Sequence, residues 1–125
     1  MKSRENLVRL KQFQVNEKRR QLAQLDLMIA EFERMANDLE LQIAAEEKKA
    51  GITDVNHFAY PTFAKAARQR RDNLKNSQTD LADQRNSALS LFKEAEAELS
   101  KAQMLESRDG KIREPEPHSR TAMIG

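Results

Sequence analysis

Two long stretches without glycine or proline constrain the fold of this chain more than any other feature. Residues 1–50 and residues 62–109 lack both residues and consist mainly of strong helix formers. As a single helix, each stretch would be about 70 Å long at ~1.5 Å per residue. Helices of that length are rare in globular domains and common in coiled coils. Only 5% of the residues are aromatic, so a large compact core is not expected.

A seven-residue repeat of apolar side chains runs through both stretches. In the first, every seventh position is apolar and a companion position completes the seam, with Met28 and Met35 beside it. The second stretch repeats with smaller residues. This pattern predicts the a and d positions of a coiled coil. The seam of the first stretch consists of Val8, Val15, Leu22, Ile29, Ala36, Ile43 and Ala50, with Lys11, Lys18, Leu25, Phe32, Leu39 and Glu46 at the companion position. The seam of the second stretch consists of Ala67, Leu74, Leu81, Ala88, Ala95 and Ala102, with Arg71, Gln78, Arg85, Phe92, Leu99 and Glu106 at the companion position.

The distribution of charge predicts how the two arms pair. Residues 1–20 are mainly basic and 26–47 mainly acidic, whereas 65–75 are basic and 80–109 mainly acidic. An antiparallel pairing sets opposite charges side by side and places Leu39 opposite Leu74. We therefore expect an all-α fold, a long antiparallel two-helix coiled-coil hairpin. Arm one spans about 3–50, the apex about 51–60 and arm two about 61–108, followed by a disordered tail over 110–125.

The chain shows no sequence feature of an enzyme or of a membrane-spanning protein. It has no phosphate-binding, dinucleotide-binding or nucleophile-elbow motif, and it has no cysteine. We read His57 as a loop histidine and the acidic runs as solvated helix faces. No catalytic residue, metal site or cofactor is expected. The first residues lack the apolar segment of a secretory signal, and no run of about 18 apolar residues could cross a bilayer, so we expect an intracellular protein.

Two groups of apolar residues do not belong to the seam. Leu10 and Phe13 fall on outward positions of arm one, with Leu7 beside the seam. Either a partner covers them or a local break in the repeat turns them inward. The stretch 50–64 around the apex contains Phe58, Tyr60 and Phe63, half of the aromatic residues of the chain. Either they face a partner or they plug the end of the seam, and the plug is expected more for the two phenylalanines than for the tyrosine.

Two basic runs are the remaining candidates for a binding site. Lys18, Arg19 and Arg20 form the first, and the second consists of Arg68, Arg70 and Arg71. Either run could contact phosphates, but complementary charge on the opposite arm is the favoured interpretation. Nucleic-acid readers usually interleave aromatic with basic residues, and here the aromatic residues lie apart from both runs. Two alternatives stay open, a nucleic-acid or ribosome-associated helical hairpin and a structural coiled coil that dimerises through its N-terminal apolar face.

Two strings of residues resemble a known family. They are F-x-V-x-E-K-R-R, from Phe13 to Arg20, and G-I-T-D followed by H-F-A-Y-P, from Gly51 to Pro61. Together with the residues around them, over about 1–106, they resemble the FliJ family of the bacterial flagellar type III export apparatus, in its alphaproteobacterial branch. The resemblance implies an antiparallel coiled-coil hairpin similar to the central stalk of rotary ATPases. It also implies a non-enzymatic component of flagellum assembly and hence of motility.

The resemblance implies three partners: the hexameric flagellar export ATPase, the cytoplasmic domain of the export gate, and export chaperones. It places the protein in the cytoplasm, peripheral at the inner membrane on the export apparatus, with no membrane insertion and no nucleic acid. The end with both termini would enter the ATPase ring, and the apex would lie toward the gate. On this basis the expected ring-facing residues are Leu7, Leu10, Phe13, Lys18, Arg19 and Arg20, and the expected gate-facing residues are Phe58, Tyr60 and Phe63.

Overall fold

Two long helices packed against each other form an all-α hairpin, as the sequence predicts. The computed structural model describes residues 2–113, and the side-chain environments of residues 3–109. Helix α1 spans Lys2–Ala50 and helix α2 spans Thr62–Arg113. Residues 51–61 connect them, and residues 2–113 contain no strand.

Helix α2 continues through the glycine that was expected to end it. It includes Gly110 and runs to Arg113, beyond the expected end at about residue 108. A single glycine costs a helix only about 1 kcal/mol relative to alanine, which neighbouring helix formers can offset. The expected disordered tail, 110–125, is helical over 110–113, so the prediction was wrong for these four residues, and residues 114–125 lie outside the described residues.

The hairpin comprises two compact units. Met1–Leu22 and Ser87–Gly125 make up the terminal unit, and Ala23–Asn86 makes up the turn unit. In the terminal unit Val15 is the most buried large side chain, and three small seam residues of α2 are also buried. Those small residues are Ala88, Ala95 and Ala102.

Ion pairs in the terminal unit join the basic start of α1 to the acidic end of α2. Arg4 Nε lies 3.0 Å from Asp109 Oδ2, and Lys11 Nζ lies 3.0 Å from Glu98 Oε2. The guanidinium of Arg19 also lies 5.5 Å from the centre of the Phe92 ring. The two ion pairs are the opposite-charge pairing expected for antiparallel arms. Exposed pairs contribute only about 0–1 kcal/mol each, so they select the orientation more than they stabilise the fold.

The turn unit has the clearest apolar core. Leu39, Ile43 and Ala67 form a buried cluster, and Leu74 packs against it, as the antiparallel register predicts. Ala50 is the exception among the predicted seam residues. It is exposed, because it is the last residue of α1 and α2 does not reach it.

Ion pairs in the turn unit follow one edge of the seam. Within the turn unit an acidic residue of α1 follows each of the seam residues Leu25, Phe32, Leu39 and Glu46, and three of these acidic residues pair with basic residues of α2. The pairs of Glu47 and Glu40 confirm the predicted match between the acidic half of arm one and the basic start of arm two, whereas Asp26 pairs further along α2. The three pairs are Glu47 with Arg68 at 3.0 Å, Glu40 with Lys75 at 2.9 Å, and Asp26 with Arg85.

Candidate docking surfaces

A glycine cap ends α1 and starts the turn. Gly51 adopts a φ of 70°, in the left-handed region that favours glycine at the residue after a helix. The backbone N–H of Gly51 donates to the carbonyl of Glu47 at 2.9 Å, and that of Ile52 donates to the same carbonyl at 3.3 Å. These two bonds satisfy a carbonyl of the last helical turn, so the chain leaves α1 in a fixed direction.

Side chains and backbone together order the rest of the turn. Asp54 Oδ1 accepts from the N–H of Asn56 at 3.0 Å, and its carbonyl accepts from the N–H of His57 at 3.1 Å. His57 Nδ1 then accepts from the N–H of Ala59 at 3.0 Å, and its carbonyl accepts from Tyr60 at 3.0 Å. Aspartate favours such turns because its side chain mimics a backbone acceptor. His57 thus has a local structural contact, in keeping with its interpretation as a loop histidine.

Tyr60 joins the turn to both helices. Its side chain packs against them, and the residue is 8% exposed. The hydroxyl donates to Glu47 Oε2 at 2.7 Å and accepts from Arg68 Nε at 2.9 Å. Arg68 Nη2 donates to the same Glu47 oxygen at 3.0 Å, and its guanidinium lies 5.9 Å from the Tyr60 ring centre. One phenol therefore links the end of α1 to the first turns of α2.

The charges of this cluster shift one another's pKa in the directions expected for a tight network. Hydrogen bonds from Tyr60 and then from Arg68 lower the pKa of Glu47. Partial burial, followed by its bond to Glu47, raises the pKa of Tyr60. The bonds to Tyr60 and Glu47 raise the pKa of Arg68. At neutral pH the cluster therefore holds a carboxylate, a neutral phenol and a guanidinium, and each is hydrogen-bonded.

The two phenylalanines of the turn point outward instead of plugging the seam. Phe58 is 97% exposed and stacks on His57 with 4.7 Å between ring centres, while more than half of Phe63 is also exposed. The plug interpretation was thus wrong for the phenylalanines, and Tyr60 is the aromatic residue that packs. Hydrophobicity favoured the phenylalanines, but the phenol can be buried here because Glu47 and Arg68 satisfy its hydroxyl. Phe58 and Phe63 are named the turn pair below.

A second exposed apolar pair lies on α1 of the terminal unit. Leu10 is 51% exposed and Phe13 is 62% exposed, whereas Leu7 is half-buried at the flank of the seam. The repeat continues through this region with Val8, Lys11 and Val15 inward, so the predicted alternative of a break that turns Leu10 and Phe13 inward was wrong. Leu10 and Phe13 are named the terminal pair below.

The first basic run does not form one continuous patch. Lys18 is half-buried at a seam position, and Arg19 lies over Phe92 and donates to Asn16 Oδ1 at 3.3 Å. Arg20 donates to Glu17 Oε2 at 2.8 Å, and this bond raises the pKa of Arg20. The three cations therefore point to different surroundings. Among the described side chains none of the three forms an ion pair with α2, so the favoured interpretation, complementary charge on the opposite arm, was wrong for this run.

The second basic run is mostly engaged within the turn unit. Arg68 pairs with Glu47, and Arg71 Nη1 lies 3.9 Å from a carboxylate oxygen of Glu40. Arg70 is exposed and has no carboxylate oxygen within 4.0 Å among the described side chains. The favoured interpretation, complementary charge on the opposite arm, therefore fits Arg68 and Arg71 but not Arg70.

Two exposed leucines were not predicted from the repeat. Leu27 and Leu41 are each 72% exposed on the outward side of α1 in the turn unit. They are fourteen residues apart, which is two heptads, so the repeat could have placed both leucines on the outward side of α1. Each is a single exposed residue among polar neighbours, which is common on protein surfaces.

The described residues contain no feature of a metal site or a membrane span. In this part of the chain no group of three or more histidine, cysteine, aspartate or glutamate side chains is arranged to hold a metal ion. Neither helix, over its described length, is apolar enough to cross a bilayer.

Comparison with known proteins adds no assignment. The chain matches no protein-family model, and no match is found among curated proteins or solved structures.

Proposed function

We propose that this chain is a non-enzymatic component of the flagellar type III protein export apparatus. In this role it is a stalk-like coiled coil that couples the hexameric export ATPase to the cytoplasmic domain of the export gate and assists export chaperones. It acts in the cytoplasm, at the inner-membrane face of the apparatus. The resemblance of the strings Phe13 to Arg20 and Gly51 to Pro61 to the FliJ family supports the assignment.

The observation that carries the proposal is the exposure of one apolar pair in each unit. Leu10 and Phe13 are exposed in the terminal unit, and Phe58 and Phe63 are exposed in the turn unit. Neither pair contributes to the hairpin seam, which is complete without them. Exposed leucine and phenylalanine side chains are unfavourable in water unless a partner covers them. Two such pairs fit a protein that contacts two different partners.

The ordered contacts around each pair support a docking role. Three consecutive hydrogen-bonded turns and the Tyr60 cluster fix the segment that presents Phe58. In the terminal unit Val15 and the buried alanines of α2 fix the helix that presents Leu10 and Phe13. A preordered surface loses less conformational entropy on binding than a mobile one. Tyr60 itself is buried, so we assign it to positioning and not to direct contact.

The first test targets the terminal pair. Leu10→Glu combined with Phe13→Glu should abolish stimulation of the cognate export ATPase, because two charges replace the apolar contact. ATP hydrolysis by the purified ATPase is measured with and without the variant. Leu27→Glu is the matched control, since it also charges an exposed leucine of α1 and should leave stimulation unchanged.

Circular dichroism shows whether each variant keeps the helical content of the hairpin. A folded double variant that stimulates the ATPase as well as the unmodified chain would refute the assignment of Leu10 and Phe13 to the ATPase contact.

The second test targets the turn pair. Phe58→Ala combined with Phe63→Ala should weaken binding to the export-gate cytoplasmic domain by about tenfold or more, because truncating an aromatic anchor commonly costs over ~1 kcal/mol. ATPase stimulation should be retained. Isothermal titration calorimetry against the purified gate domain measures the affinity, with Leu41→Ala as the control. Unchanged affinity of the double variant would exclude the turn pair from this interface.

The two alternative functions give different results in simple experiments. A nucleic-acid-binding hairpin would bind RNA or DNA with an affinity that falls steeply between low and moderate salt. A structural coiled coil that dimerises through the terminal pair would sediment as a dimer at micromolar concentration, and Leu10→Glu would return it to a monomer. A chain that is monomeric and does not bind nucleic acid fits the export proposal.

A further inference from the structure

The two edges of the seam in the turn unit differ in chemistry. Along one edge the ion pairs of Glu47, Glu40 and Asp26 with α2 close the space between the helices. The opposite edge is formed by Met28, Met35 and Gln42 on α1 and by Arg70, Ser77 and Gln84 on α2. Each of these residues lies immediately before a seam residue. Within residues 23–86 no ion pair joins the helices along this second edge.

The second edge contains a groove with an apolar floor. A cavity of about 250 Å³ lies between the helices and is lined by Phe32, Met35, Leu74, Arg70, Asn73 and Ser77. A neighbouring cavity of about 170 Å³ shares Met35 and Arg70 and is lined also by Leu39. Met28 is exposed one heptad before Met35, on the same side of α1. We name this surface the methionine groove, made up of Met28, Phe32, Met35, Leu74 and Arg70.

We propose that the methionine groove is a docking site for an amphipathic helix of another protein, one that carries an acidic side chain about one turn from a large apolar residue. The apolar residue packs against Met35 and Phe32, and the carboxylate pairs with Arg70. Packing of a helix along such an interhelical groove is a recurring mode of recognition. Methionine suits the role because its flexible, polarisable side chain adapts to different apolar partners.

Charge complementarity favours a foreign helix over a second copy of this chain. Arg70 is the cation of the groove and has no carboxylate oxygen within 4.0 Å among the described residues. The carboxylates on the α1 side of the groove, Glu31 and Asp38, already contact Arg34, the latter at 3.7 Å. Asp80 is the remaining carboxylate on this side and lies ten residues from Arg70, about 15 Å along α2. A second copy docked groove to groove offers only Asp38 beside Arg70, since Asp38 lines the second cavity, and this carboxylate already contacts Arg34.

The methionine groove is distinct from both surfaces of the proposed function. It contains neither the terminal pair nor the turn pair, and its apolar residues lie on the helices of the turn unit and not in the turn itself. Its occupancy is therefore independent of the ATPase and gate contacts, and it can be tested without either partner.

The experiment measures binding of two synthetic peptides to the full chain. Both are 21-residue helical peptides with leucine at the a and d positions of three heptads, and the flanking e and g positions are all glutamate in one and all lysine in the other. Fluorescence anisotropy of the labelled peptides gives the dissociation constants. We expect the glutamate peptide to bind at least tenfold more tightly than the lysine peptide.

Substitutions in the groove then locate the site. Arg70→Glu should invert the preference, so that the lysine peptide binds more tightly, and it changes an exposed side chain with no effect expected on the fold. Met35→Glu should weaken binding of either peptide by tenfold or more. Leu41→Glu is the matched control, because it places the same charge on an exposed side chain of α1 away from the groove, and it should change neither affinity by more than twofold.

Several results would overturn the proposal. They are no measurable binding of the glutamate peptide, an unchanged preference in Arg70→Glu, or an equal loss of binding in Leu41→Glu and Met35→Glu. Sedimentation equilibrium of the chain alone tests whether a second copy of the chain occupies the groove. Self-association that disappears in Arg70→Glu would show that a second copy fills the groove.

Discussion

The register of the hairpin can be tested with two leucines of the same helix. Leu39 is 7% exposed in the core of the turn unit, whereas Leu41, two residues later, is 72% exposed. Each is replaced by alanine. Both positions lie well inside α1, so the change in helix propensity is the same for both and cancels in the comparison.

The expected magnitudes follow from burial. Leucine to alanine removes three carbons, worth about 2.4 kcal/mol at ~0.8 kcal/mol per buried CH₂ when the side chain is fully buried. With 7% exposure, Leu39→Ala should reduce the free energy of unfolding by about 2–3 kcal/mol, including a contribution from imperfect closure of the space. For Leu41, with about a quarter of the residue buried, the loss should be about 0.7 kcal/mol or less.

Urea titration followed by circular dichroism at 222 nm measures both free energies. The slope against urea concentration should stay the same, because neither change alters how much surface unfolding exposes. In thermal unfolding the difference between the two variants should amount to roughly 10 °C, at ~4–8 °C per kcal/mol for a chain of this size. Equal losses for the two variants, or a larger loss for Leu41→Ala, would refute the a and d register on which the hairpin is built.

Two further predictions concern the turn. Gly51→Ala should lower the free energy of unfolding by about 1 kcal/mol, because alanine is strained at a φ of 70° although a Cβ atom there meets no other atom within 4 Å, and Gly51→Asn should lose less in the same urea titration. The pKa of Glu47 is lower in the folded chain than in the unfolded chain. The ionised Glu47 carboxylate therefore stabilises the fold fully above the pKa of the unfolded chain, and this stabilisation is lost as the pH falls through the pKa of the folded chain. In Tyr60→Phe the pKa of Glu47 should rise, because the bond from Tyr60 is the largest cause of its lowering, and carboxyl NMR titration would contradict this if the pKa stayed the same.

The antiparallel hairpin could be predicted because two independent patterns agree. The seven-residue repeat assigns Leu39, Ile43 and Ala67 to the seam, and all three are buried. The blocks of charge then select the orientation, as the contacts of Glu40 and Glu47 with α2 show. Both patterns are periodic and extend over many residues, so an error at one position has little effect on the prediction.

The turn could not be predicted in the same way because its contacts are not periodic. Hydrophobicity alone ranks Phe58 above Tyr60 for burial, yet Tyr60 is buried because Glu47 and Arg68 lie within reach of its hydroxyl. That proximity depends on where α1 ends and α2 begins, which the Gly51 cap sets. Similarly, the repeat does not show that Ala50 lies beyond the reach of α2. The outward direction of Leu10 and Phe13 was easier to predict, since it follows from their positions in the repeat.

The contacts of the two units also differ in the sequence separation of their partners, and this separation affects the order of folding. The pair of Arg68 with Glu47 joins residues 21 positions apart, while that of Lys11 with Glu98 joins residues 87 positions apart. Since closure entropy grows with the logarithm of loop length, forming the longer contact first costs about 1.3 kcal/mol more. The hairpin should therefore nucleate at the turn and zip toward the termini. The helical segment that carries Leu10 and Phe13 is then the last to pair in folding and the first to separate when the chain is destabilised.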